Sequence, residues 1–141
     1  MKLSKYLKLF SVLVSSALLS TACLSPIPTK PNWQLSQLST KGLYQAHLSC
    51  IELPSVGTFQ ECKVHILALN GTPVIKAEII VDGGMPAHGH GLPTAPKAVL
   101  LNDQGLYEIQ GLQFNMAGAW LLGFLIKTPQ QQDKIVFDFV I

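Results

Sequence analysis

Two stretches alternate apolar and polar residues on either side of one short turn. That mirror arrangement limits the possible folds more than any other feature of the chain. Gly42 to Leu53 puts Tyr44, Ala46, Leu48 and Cys50 on one face and Gln45, His47 and Ser49 on the other. Phe59 to Leu69 puts Cys62, Val64, Ile66 and Ala68 on one side and Glu61, Lys63 and His65 on the opposite side. A period of two is the signature of a half-buried strand. Val56 lies midway between Cys50 and Cys62, within the turn Pro54-Ser55-Val56-Gly57, so a simple hairpin sets the two cysteines opposite each other. Both fall on the apolar face, which predicts a disulfide in an oxidising compartment. With eleven residues between the cysteines, the cross-link is worth about 2–3 kcal/mol in the chain-entropy picture. A redox or metal pair is the alternative, and the absence of a close C-x-x-C spacing disfavours it.

The rest of the chain continues the pattern. Val74 to Asp82 directs Ile75, Ala77, Ile79 and Val81 inward. Leu106 to Ile109 reads as a short strand, and Trp120 to Lys127 is apolar on both faces, as a central strand is. Lys134 to Ile141 places Ile135, Phe137, Phe139 and Ile141 inward. Asn70-Gly71 signals a tight hairpin, and Pro129 to Gln132 marks another turn. No segment sustains a helical period, and no internal repeat is found. The expected fold is an all-β antiparallel sandwich of six or seven strands.

The first residues belong to export. Lys2, Lys5 and Lys8 precede an apolar run from Leu9 to Leu19, the pattern of a signal peptide and too short for a comfortable membrane span. Leu19-Ser20-Thr21-Ala22-Cys23 resembles a bacterial lipobox, with Ser20 where leucine is usual. The expected division is a signal peptide over 1–22, a lipidated Cys23 with a Pro-rich tether over 23–41, and a domain over 42–141. Several acyl chains on Cys23 would hold the protein to a membrane. Leu24 after the cysteine favours, by resemblance to other lipoproteins, an outer-membrane anchor facing the periplasm. Removing the leader takes three of the ten lysines and leaves seven against eight acids, a net charge near −1 with no arginine. Such a domain is a poor partner for nucleic acid.

The chemistry-bearing stretch is Met85-Pro86-Ala87-His88-Gly89-His90-Gly91, followed further on by Asn115-Met116-Ala117-Gly118-Ala119-Trp120. Asp82-Gly83-Gly84 is expected to end a strand, leaving Met85 to Pro96 as an exposed connection stiffened by Pro86, Pro93 and Pro96. Imidazole and thioether are soft ligands, so Met85, His88, His90 and Met116 form a donor set suited to Cu(I) rather than to zinc. The bland reading stays open beside it: Met116 fills the core near Trp120 and Phe114, and the histidines turn a corner. His47 and His65 read as surface residues. No G-x-S-x-G, paired acids or phosphate loop is present, so no catalytic site is expected.

Gly84 to Thr94, then Gly105-Leu106-Tyr107, Gly111-Leu112-Gln113-Phe114 and Met116 to Trp120, together resemble the YtkA-like and FixH-like domain family over about residues 42–141. The resemblance implies a small exported or membrane-tethered domain with an immunoglobulin-like sandwich. For some members it also implies copper handling or assembly of copper-containing oxidases. It carries the ligand role to Met85, His88, His90 and Met116, with Trp120 packed behind the second turn. A lipoprotein leader in place of a membrane helix sets this chain apart from FixH. The expected function is therefore a non-enzymatic copper chaperone or buffer. The alternative is a module that binds another envelope protein.

Overall fold

The computed structural model describes residues 33–141. The signal peptide and Cys23 lie outside them. Among the described residues the chain forms nine strands: β1 (Trp33–Leu38), β2 (Tyr44–Cys50), β3 (Cys62–Ala68), β4 (Glu78–Met85), β5 (His90–Gly91), β6 (Lys97–Leu100), β7 (Leu106–Gln110), β8 (Ala119–Lys127) and β9 (Gln132–Val140). One 3₁₀ turn, Pro86–His88, is the only helical element among these residues. Every pairing between strands is antiparallel.

The strands form one sheet in the order β1-β2-β3-β7-β6-β4-β8-β9, with β5 attached to β4. The expected six or seven strands thus become nine, and the two separate layers of a sandwich become one sheet curled into a nearly closed barrel. Its weakest join is between β4 and β6, where Ile80 and Lys97 are the only paired residues. At the open seam β1 meets β9, and Trp33 packs edge-on against Phe139 with ring centroids 5.0 Å apart.

Alternation explains most of the core. Tyr44, Ala46, Leu48 and Cys50 on β2 are buried, as are Val64 and Ile66 on β3, Trp120, Leu122, Phe124 and Ile126 on β8, and Ile135, Phe137 and Phe139 on β9. Phe114 links these strands, edge-on to Trp120 at 5.0 Å and to Phe139 at 5.6 Å, a favoured aromatic geometry. Cys50 and Cys62 are register partners and form the disulfide, with Cα atoms 4.1 Å apart.

Several expectations are corrected. Residues 33–38, assigned to the tether, form β1, which pairs with β2 along its full length. The strand expected over 74–82 begins at Glu78 and runs on to Met85. Val74 is buried and Ile75 exposed, because the segment after the Asn70-Gly71 turn pairs only briefly with β3 before leaving it. That turn therefore does not join two neighbouring strands of the sheet: β3 pairs with β2 and β7. The hydroxyl of buried Tyr107 donates to the Val74 carbonyl at 2.7 Å, and burial pushes the phenol upward from its ordinary pKa.

One acid departs from the outward pattern. Asp133, at the start of β9, is buried. Its carboxylate accepts from the backbone N–H groups of Lys41 at 3.1 Å, Leu43 at 3.3 Å and Lys134 at 2.8 Å. The Thr40 N–H donates to the Lys134 carbonyl at 2.8 Å. These bonds fasten the turn between β1 and β2 to β9 and draw the seam together. Burial pushes the Asp133 carboxyl up, but hydrogen bonds from Ser39 and the three backbone donors outweigh it and hold the group below its ordinary pKa.

Candidate functional site

The histidine loop is a compact hairpin rather than an open connection. β4 continues through Gly83 and Gly84, where glycine serves close packing of backbones and not a turn. A Cβ on Gly84 would collide with the His90 carbonyl oxygen. After Met85 the chain makes the 3₁₀ turn and returns as β5, pairing Gly84 with Gly91 and Met85 with His90. The Leu92 N–H then donates to the Gly83 carbonyl at 3.1 Å.

Within this hairpin the expected ligands divide. His88 and His90 are both exposed, and their ring centroids lie 6.2 Å apart. Met85 is buried, not exposed as expected. Its Cε packs 2.7 Å from where a Cβ on Gly118 would sit. Met116 is half-buried against the core, and its carbonyl accepts from the indole N–H of buried Trp120 at 3.0 Å. Met85 thus reaches the turn that carries Met116, while the two imidazoles face solvent.

Elementary geometry tests whether one ion fits between the rings. With a metal–nitrogen distance of about 2.0 Å and a ring radius of about 1.2 Å, two imidazoles sharing an ion hold their centroids at most about 6.4 Å apart. The 6.2 Å separation of His88 and His90 lies inside that limit, so the two rings are within reach of a shared ion. Met85 is the backbone register partner of His90, but its side chain turns into the core toward Gly118 while the imidazole stays exposed. Among the described residues no three His, Cys, Asp or Glu side chains gather as a metal cage.

Two further features were not evident beforehand. An open groove of about 580 Å³ runs over the outer face of β4, β8 and β9 beside the hairpin, with Ile80, Leu121, Leu125 and Val136 on its apolar walls and Asp82 and Lys134 among its polar residues. A second histidine pair lies on the outer face of β2 and β3, where His47 and His65 are register partners with ring centroids 6.3 Å apart. The sequence held a signal for it. His47 precedes Cys50 by three residues and His65 follows Cys62 by three, so the cysteine register already sets the histidines opposite each other.

The fold and hairpin define a small, disulfide-linked, all-β domain carrying a histidine turn. The YtkA-like family model matches residues 37–122, more than half of the chain, and the chain belongs to that family. No curated protein and no solved structure matches it.

Proposed function

We propose that this protein is a non-enzymatic, exported lipoprotein, anchored through Cys23 to the outer membrane and facing the periplasm, that carries copper as cargo. In this reading His88 and His90 hold Cu(I), with Met85 and Met116 as the thioethers nearest the hairpin. The observation that carries it is the spacing of two exposed imidazoles on one braced turn, within reach of a shared ion. The disulfide agrees with residence in an oxidising compartment. The copper ion would be bound and passed on, without a chemical step on the protein. A competition titration with a chromogenic Cu(I) chelator tests the reading. Wild-type protein should withdraw copper from the chelator, and H88A/H90A should not. A wild-type protein that fails to compete ends the proposal.

The groove beside the hairpin favours a second reading, a module that docks another envelope protein, with the histidine turn serving only as a corner. Its apolar residues are Ile80, Leu121, Leu125 and Val136. Cross-linking in cells would then recover one stoichiometric partner. Leu125→Lys should abolish that capture, and H88A/H90A should leave it intact.

A further inference from the structure

The sheet histidines are held as metal ligands are held. His65 Nε2 lies 2.7 Å from the Gln104 carbonyl oxygen. A carbonyl can only accept, so Nε2 carries the proton and Nδ1 of the neutral ring presents a lone pair. His47 Nδ1 lies 2.7 Å from Ser36 Oγ, which is itself on the neighbouring strand β1 opposite His47. The Ser36 hydroxyl can accept from Nδ1–H of His47 or donate to Nδ1, and in the tautomer with Nδ1–H the Nε2 of His47 also presents a lone pair. Neither His47 Nε2 nor His65 Nδ1 hydrogen-bonds to a described residue. With His47 in that tautomer, each ring has one nitrogen held by an outer partner and one available, the arrangement that orients imidazoles around a metal.

The pair sits on a rigid base. Its ladder is β2 and β3, flanked by β1 and β7 and cross-linked three residues away by Cys50–Cys62. The 6.3 Å centroid separation lies just inside the limit of about 6.4 Å for two imidazoles on a shared ion. It calls for a wide nitrogen–metal–nitrogen angle. Tetragonal Cu(II) and Ni(II) accept two imidazoles on opposite sides, whereas tetrahedral zinc requires a narrower angle.

We infer that His47 and His65 form a second metal site, distinct from the hairpin, which takes a divalent ion of tetragonal preference through two imidazoles, with water in the remaining positions. Ser36 is a positioning residue for it. The inference does not depend on Cu(I) binding at the hairpin.

The test uses the full chain carrying H88Q/H90Q, with Cu(II) as the probe. One equivalent should give an electron paramagnetic resonance spectrum of a tetragonal ion split by two nitrogens. Adding H47Q or H65Q should weaken binding at least tenfold and remove that splitting, while S36A should weaken it two- to fivefold with the splitting kept. Thermal unfolding checks that each variant is folded. His47 is exposed and its only side-chain partner among the described residues is Ser36, so H47Q is the variant that keeps the test valid should H65Q unfold. The inference is overturned if Cu(II) binds equally well without either sheet histidine, or does not bind in the H88Q/H90Q background. Cu(I) competition by H47Q/H65Q is measured separately, so failure at one pair is not mistaken for failure at the other.

Discussion

The two histidine pairs have nearly equal ring separations, 6.2 Å on the hairpin and 6.3 Å on the sheet, but different support. His88 and His90 ride on a short turn, both exposed, with no ring hydrogen bond among the described residues. His47 and His65 face each other across a central ladder, each ring held by an oxygen from another segment. The hairpin pair must lose rotamer freedom to grip an ion, at a cost of about 0.5–1.5 kcal/mol per side chain, whereas the sheet pair is largely arranged beforehand. On the proposed readings, the same ring spacing would serve two uses. A turn that must take up and surrender an ion benefits from loose rings, and a site that keeps an ion benefits from fixed ones.

The sharpest way to break this comparison is to remove each pair and measure both ions. H88A/H90A should lose Cu(I) affinity by at least 100-fold and leave Cu(II) at the sheet pair within about twofold, while H47Q/H65Q should do the reverse. Equal losses in both variants would show one shared site. Met85→Ala comes next. It opens a void beneath the hairpin beside Gly118 and should lower stability by about 2–5 kcal/mol in urea unfolding, with the sheet pair unaffected wherever the protein stays folded.

Removing the disulfide probes the sheet side. C50A/C62A should cost about 2–3 kcal/mol and weaken Cu(II) at His47 and His65 several-fold through a looser ladder, with Cu(I) at the hairpin unchanged within twofold. Asp133→Asn touches neither pair and should lower stability by about 2 kcal/mol at neutral pH, because a charged acceptor of three backbone N–H groups is lost. The folded carboxyl titrates below its ordinary value near 3.9. Its contribution is therefore complete above about pH 4 and is lost as pH falls through the folded-state value. The wild type should lose this increment on acidification. Urea midpoints between pH 3 and 7 should show a weaker pH dependence in Asp133→Asn.

Much of this was legible in the sequence for a simple reason. Where one face of a strand is buried and the other wet, as in Tyr44–Cys50, Cys62–Ala68 and Ile135–Phe139, the period of two is written directly into the residues. Cys50 and Cys62 followed from the same pattern. The misreadings fall where a residue type has two structural uses. Gly83 and Gly84 resemble a turn, but they serve the close approach of two backbones within a strand. The prolines and glutamines around Trp33 resemble a tether, but β1 gains its place through backbone pairing and one aromatic contact, which leave little trace in hydropathy. Asp133 resembles any solubilising acid until two of its three backbone donors, Lys41 and Leu43, about 90 residues earlier, are brought to it by the fold. The burial of Met85 follows from the extra length of β4, which carries the alternation one step further than the glycines suggested.

The place of β1 has a consequence for how far the domain can travel. For a chain acylated at Cys23, only Leu24 to Asn32, nine residues, separate the anchor from the first paired strand. Even fully drawn out at about 3.3–3.6 Å per residue, they span only about 30 Å, against the roughly 50 Å that an unpaired stretch to residue 40 would allow at about 3.1 Å per residue. On the proposed lipid anchoring, β1 would therefore act as a take-up spool that shortens the leash, and the start of the first strand would stand no more than about 30 Å from the lipid surface.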